Sequence, residues 1–257
     1  MRRMAQICCT TGLLLLAAIL THGAEAEEFT DEFRLADCTF SDSGRNPYFS
    51  LQPGDQLVLE GEEDGETVVV QITVLRDRQS ITFQDQDGVR RTVRTRVIEE
   101  REWLDDELVE VSRNFFARCM PTNDIYYFGE DVDIYGGGVV THGGAWRAGV
   151  NGALPGLIMP GTFLLGSRYF QEIAPDVALD RAEHVRSGFE VEVPAGTFED
   201  CVEIVETTPL EPRSESIKIY CAGVGLVDDS GAQLAEAEID GLDEAESTAP
   251  RPSPRHR

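Results

Sequence analysis

The sequence predicts an all-β protein: an antiparallel meander of about 9–12 strands curled into a half-barrel or barrel, with a β-sandwich as the alternative. Three observations point there. Apolar residues recur at every second position in run after run, turn residues separate the runs, and no long stretch carries a helical period.

The clearest run places Val68, Val70, Ile72 and Val74 on one face, with Thr67, Val69, Gln71 and Thr73 between them. Val89, Val93, Thr95 and Val97 repeat the pattern among arginines, and Val109, Val111, Phe115, Ala117 and Cys119 continue it. Phe189, Val191 and Val193 follow, then the segments 198–206 and 216–221. One apolar and one polar face per run marks an antiparallel sheet wetted on one side. Pro53-Gly54-Asp55, Glu63-Asp64-Gly65, Asp85-Gln86-Asp87-Gly88, Gly136-Gly137-Gly138 and the stretch 209–212 supply the turns. So many strands accumulate twist and leave edges open to aggregation, and the sheet therefore curls or closes.

Two segments depart from this rhythm. The stretch 148–166 (AGVNGALPGLIMPGTFLLG) is uncharged and apolar, and Pro155 and Pro160 inside it disfavour regular structure. It is expected to be a buried loop that covers the sheet, plugs a barrel or meets a ligand or partner. Residues 175–186 (PDVALDRAEHVR), led by Pro175 and Asp176, form the one expected helix, a short one.

The ends read differently. Arg2 and Arg3, the apolar run 12–20 and Ala24-Glu25-Ala26 compose a secretory signal over residues 1–26. The run is about half the roughly 20 residues a membrane anchor needs, and no later run approaches that length. Residues 27–240 are expected to form a single β domain. The tail 241–257, rich in Asp, Glu, Ser, Pro and Arg, lacks the apolar surface to offset ordering entropy and is expected to be disordered.

Acidic residues number 47 against 22 basic ones, a formal charge of −25, and Lys218 is the single lysine. Such a surface repels nucleic acid and anionic lipid headgroups. Past the signal stand Cys38, Cys119, Cys201 and Cys221, an even number that in an exported chain reads as two disulfides. Three connectivities are open. Cys201 and Cys221 flank a hairpin, which favours Cys201–Cys221 with Cys38–Cys119. Against this, Val202 and Ile204 share one face while Ile217, Ile219 and Cys221 share another. The pairing then needs a bulge, or Cys201 and Val205 together on the inward face.

Several blocks carry a resemblance: NPYFSLQPGDQLVLEG (46–61), IYYFGEDVDIY (125–135), GAWRAGVNGALPGLIMPG (144–161), VEVPAGTFEDCVEIVETTPLEP (191–212) and IYCAGVGLVDD (219–229). In this order the chain resembles a group of uncharacterised exported bacterial proteins, many of them lipoproteins. The resemblance implies an envelope or secreted protein and no catalytic residue. No cysteine stands just after the signal, so a lipid anchor is not expected.

Catalytic motifs do not survive inspection. Two histidines of the domain, His142 and His184, are too few for a zinc site beside paired cysteines. Thr141-His142-Gly143-Gly144 lacks the nucleophile elbow an esterase requires. The acidic block Asp124, Glu130, Asp131 and Asp133 could offer oxygens to calcium, although its spacing matches no EF-hand. Tyr126 and Phe128 alternate with Tyr127, so one face is core and the other a wall for an apolar ligand. Tyr126, Phe128, Trp146, Leu157 and Met159 are the residues nominated for that wall. The reading is a non-enzymatic periplasmic or extracellular β protein. Its expected partner is an apolar or amphiphilic small molecule, a lipid or an envelope protein. A structural surface protein with weak calcium binding, or an enzyme of unidentified class, is the alternative.

Overall fold

A computed structural model of the chain describes residues 28–63 and 65–239. The signal over 1–26 and the tail over 241–257 lie outside these residues. The first part holds a 3-10 turn, Leu35–Asp37, and three short strands: β1 (Phe40–Ser41), β2 (Arg45–Asn46) and β3 (Phe49–Ser50). A meander of long strands follows: β4 (Gln56–Glu63), β5 (Glu66–Gln84), β6 (Arg90–Leu104), β7 (Glu107–Cys119) and β8 (Ile125–Gly136). Shorter pieces come next, β9 (Val139–Thr141), β10 (Trp146–Arg147), β11 (Leu154–Met159), β12 (Arg168–Phe170) and β13 (Glu172–Ile173). The chain then resumes long strands with β14 (Arg181–Val193), β15 (Gly196–Thr208) and β16 (Glu211–Cys221), and finishes with β17 (Gly225–Asp229) and β18 (Ala232–Glu238).

All but β2 and β3 belong to one 16-stranded antiparallel sheet that curves into a nearly closed barrel. The last strand returns to the first of the meander, β18 pairing β4 from Gln233 opposite Glu60 to Glu238 opposite Gln56. On the far side, β11 pairs β13 and β12 pairs β14. Because β12 and β13 are separated by Gln171 alone, they act as one bent stave that completes the ring. The near-closure leaves only the short β12 and β13 at the ends of the path, the outcome expected of a long meander and not of a sandwich. The path runs through more strands than expected because bent staves break into short pieces.

Two local expectations are corrected. The segment 148–166 is not all loop: Gly156 and Leu157 stand opposite Tyr127 and Tyr126 in the β11–β8 ladder. That ladder runs from Gly156 to Met159, between Pro155 and Pro160, so neither missing N–H interrupts it. No helix forms over 175–186. Asp176 takes a φ of 63°, Ala174 and Ala178 bridge around it, and β14 begins at Arg181. A left-handed residue in the first turn is incompatible with helix, and the pairing of Arg181 with Thr207 and Ala182 with Glu206 claims the remainder for the sheet.

The outer face of β7 and β8 carries a second apolar layer. Phe128 is fully buried and meets Phe40 edge-on at 5.4 Å and Phe83 at 5.7 Å, while Tyr126 meets Phe33 at 5.7 Å. Phe83 arrives because β5 and β6 bend: their register shifts between Val74 and Arg78. The buried Arg96 fills the bend. Its Nη1 donates to the carbonyls of Leu75 (3.3 Å) and Arg76 (3.0 Å), and its Nε donates to that of Asp42 (2.8 Å).

Cys38 bonds Cys119 and Cys201 bonds Cys221, the favoured connectivity. Cys201 stands directly opposite Cys221 and shares its face with Val205, Ile217 and Ile219, so no bulge is needed. The two links close 81 and 20 residues of chain. Loop-closure entropy assigns them about 4.5 and about 3.3 kcal/mol. Urea unfolding of the Cys38→Ala/Cys119→Ala and Cys201→Ala/Cys221→Ala double variants is expected to show the first as the less stable by about 1 kcal/mol. The reverse order would show that native packing, and not the unfolded chain, dominates.

Candidate functional site

Closure gives every stave an inner face, and on several staves that face is polar. Ile72 and Val74 on β5, Ile98 and Glu100 on β6, Asn114 and Phe116 on β7, and Lys218 and Tyr220 on β16 look into one cavity of about 200 Å³. Glu172, Asp180, Glu206 and Asp229 complete the acidic wall; Leu57, Ile158, Leu226 and Ile239 extend the apolar one. On β16 the isoleucines lie outside, Ile217 with 42% of its surface exposed, and Lys218 and Tyr220 point in.

A bulge brings two of the polar groups together. Across β7 and β8 the register steps from Asn114 opposite Glu130 to Phe116 opposite Tyr127, two residues against three. The extra residue turns Tyr127 and Glu130 to the same side, where plain alternation would separate them. Gly129 permits this with a φ of 130°, and a Cβ there would collide with the backbone oxygen of Trp146. The Tyr127 hydroxyl donates to Asn114 Oδ1, and Asn114 Nδ2 donates to Ser112 Oγ at 3.1 Å.

Lys218 is held at 3.1 Å from Glu206 and 3.5 Å from Asp229. Burial works against its charge, but the two carboxylates outweigh it and keep the ammonium well above its usual range. Glu206 also accepts from Gln171 Nε2 at 2.7 Å, which ties the ring-closing stave to this ion pair. The other carboxylates titrate high. Burial lifts Glu100 to about 7, against the pull of Lys218, and lifts Glu130 to about 7 against the opposing influence of the nearby Tyr127 hydroxyl. Burial, then Glu130 and Asp180, push Glu172 far above the carboxylate range, and burial also raises Asp180. Glu100 and Glu172 keep part of their surface accessible, and that surface faces the cavity.

A buried histidine straps the segment 161–167 to the barrel. His184 donates from Nδ1 to the Leu164 carbonyl (3.1 Å) and accepts at Nε2 from the Tyr169 hydroxyl (2.8 Å), with the Phe163 ring stacked on it at 3.8 Å. The carbonyl can only accept, which fixes the tautomer. Burial depresses this histidine to about 4.

The nominated ligand wall sits elsewhere. Tyr126, Phe128 and Met159 are buried in the hydrophobic core, Leu157 packs against it, and Trp146 is buried with its ring edge-on to Tyr127. None of the five lines the cavity; their neighbours Tyr127 and Ile158 do. The acidic block is dispersed in the same way. Asp124 accepts from Thr122 and the Gly161 N–H, Asp131 pairs with Arg147, Asp133 pairs with Arg113, and Glu130 turns inward. Among the described residues no three His, Cys, Asp or Glu side chains gather as a metal site. His142 bonds the Val132 carbonyl at 2.8 Å and holds its hairpin. The four cysteines are structural. The site residues that pattern reasoning missed are Glu100, Glu172, Asp180, Glu206, Lys218 and Asp229. The one available signal was the single lysine between two isoleucines.

These shifts set a pH dependence. Glu100 and Glu130 titrate near 7 folded and near 4.5 unfolded, so their contribution is fully present below pH 4.5 and is lost as pH rises through 7. His184 opposes them: its contribution stands above pH 6.5 and is lost as pH falls toward 4. Two carboxylates outweigh one imidazole. Thermal melts are expected to give a higher Tm at about pH 5.5 than at about pH 8, and Glu100→Gln should raise Tm at the higher pH while changing little at the lower. A Glu100→Gln melt that tracks the parent at both pH values would refute the assignment. Comparison with protein-family models, curated proteins and solved structures finds no match to this chain.

Proposed function

We propose that this is a non-enzymatic exported binding protein whose barrel holds one small amphiphilic molecule. The carrying observation is the cavity of about 200 Å³, apolar on the side of Leu57, Ile72, Val74 and Phe116 and polar on the side of Glu100, Glu172 and Lys218. That volume exceeds the roughly 150 Å³ cavity known to take up benzene. It falls below the roughly 300–1,000 Å³ of drug-sized sites, so the ligand is small. Export is supported by the two disulfides, which persist in oxidising compartments, and by the signal-like residues 1–26. Lys218 is a poor candidate for catalysis: its ammonium is committed to two carboxylates and holds its proton too tightly to attack a substrate.

The test uses octanol as probe. Its addition is expected to shift amide resonances of cavity residues and to raise Tm by mass action. Ile72→Trp, which places a larger ring in the empty volume, should lose both responses and keep the fold. No response from the parent protein, or an equal response from Ile72→Trp, would overturn the reading.

A further inference from the structure

We propose that the molecule this cavity takes is an organic cation, a protonated amine on a short apolar body, with its ammonium received between Glu100 and Glu172. The inference rests on the binding reading above and adds the charge of the ligand.

The charge count on the cavity wall is the first support. Six carboxylates, those of Asp55, Glu100, Glu172, Asp180, Glu206 and Asp229, face it against the single ammonium of Lys218. Asp55 is bound by Arg45, and Lys218 is committed to Glu206 and Asp229. Glu100 and Glu172 have no hydrogen-bond donor and no ion-pair partner within range among the described residues. Both side chains are more than half buried and line the cavity wall. An unpaired carboxylate so placed favours taking up a proton or meeting a cation, because burying charge without a partner is costly.

The shape of the site selects the kind of cation. A metal ion needs several oxygens converging at about 2.3–2.6 Å. Among the described residues no three acidic side chains converge as a metal site, and the carboxylates stand around a cavity of about 200 Å³. Separated acids with apolar surface between them match a cation that has a body. Phe116 and Tyr127, stacked at 4.6 Å, and Tyr220 offer aromatic faces on which a desolvated ammonium is favourably placed. An anion would meet five uncompensated or shared carboxylates, and a neutral alcohol would leave Glu100 and Glu172 unpaired.

Proton linkage follows. Glu100 faces Lys218, Asp229, Glu102 and Glu110, and Glu172 faces Glu130, Asp180, Glu206 and Lys218. In this acidic setting Glu100 holds its proton up to about pH 7, and burial with Glu130 and Asp180 pushes Glu172 higher still, so an entering cation must displace a proton from each. Affinity for the cation therefore falls as pH drops from about 8 to about 6, while affinity for a neutral probe does not.

Calorimetry on the secreted protein, titrated with octylammonium, octanol and octanoate, tests this. Octylammonium is expected to bind about tenfold tighter than octanol, the share of one charge-assisted hydrogen bond, and octanoate weakest of the three. Glu100→Gln and Glu172→Gln keep the shape of the side chain. Each is expected to weaken octylammonium by about tenfold, to spare octanol, and in the case of Glu100→Gln to reduce the pH dependence to the part that Glu172 retains. Octanol or octanoate binding as tightly as octylammonium, or octylammonium indifferent to both variants, would overturn the cation and leave the binding reading standing. Binding of none of the three would overturn both. Calcium binding in the cavity where octylammonium does not would replace the organic cation by a metal ion.

Discussion

Closure of the sheet on itself governs everything else in this molecule. Once β18 pairs β4 and the chain turns through Gln171, the inner faces of the staves line a shared cavity with restricted access to bulk water. Polar side chains on that face must then satisfy one another. Lys218 does so for Glu206 and Asp229, and Gln171 joins the same group from the stave that completes the ring. Replacing buried ion pairs with apolar residues is often neutral or stabilising elsewhere. Stability alone therefore does not account for a wall of carboxylates inside a barrel, whereas the proposed cation site would.

The outer surface is specialised as well. A barrel with a partly polar lumen cannot rely on its interior for all of its hydrophobic burial. Part of that role passes to the layer between the β7–β8 wall and the segments laid over it. Phe33 and Phe40 reach it from the N-terminal segment, tethered through Cys38–Cys119, and Phe83 reaches it from the bent β5–β6 hairpin. The bend depends on Arg96, whose buried guanidinium satisfies carbonyls that the register shift leaves outside the ladder. Polar lumen and apolar exterior layer are thus two halves of one arrangement.

The strand rhythm, the turns and the disulfide pairing were legible in the residues. A period of two reports which side chains share a face, and turn residues report where the chain reverses. Neither reports which face is enclosed. On β16 the rule that apolar residues point inward assigns Ile217 and Ile219 to the interior, yet closure encloses Lys218 and Tyr220. The bulge at Gly129 defeats the rhythm in a second way, since it places Tyr127 and Glu130 on one side and makes the acidic block look contiguous when it is not. The stretch 175–186 misled for a third reason: its helix-compatible composition yields to pairing with β15 once the barrel demands a stave there. Each of these failures is a long-range decision written over a correct local pattern.

The chain carries one lysine, and the barrel encloses it. Amine-directed chemistry therefore has a single side-chain target, shielded by two carboxylates and reluctant to give up its proton. The rate at which Lys218 is acylated measures how often the staves part widely enough to admit a reagent. A breathing motion of the wall, otherwise invisible in a static fold, is thereby written into one chemical bond.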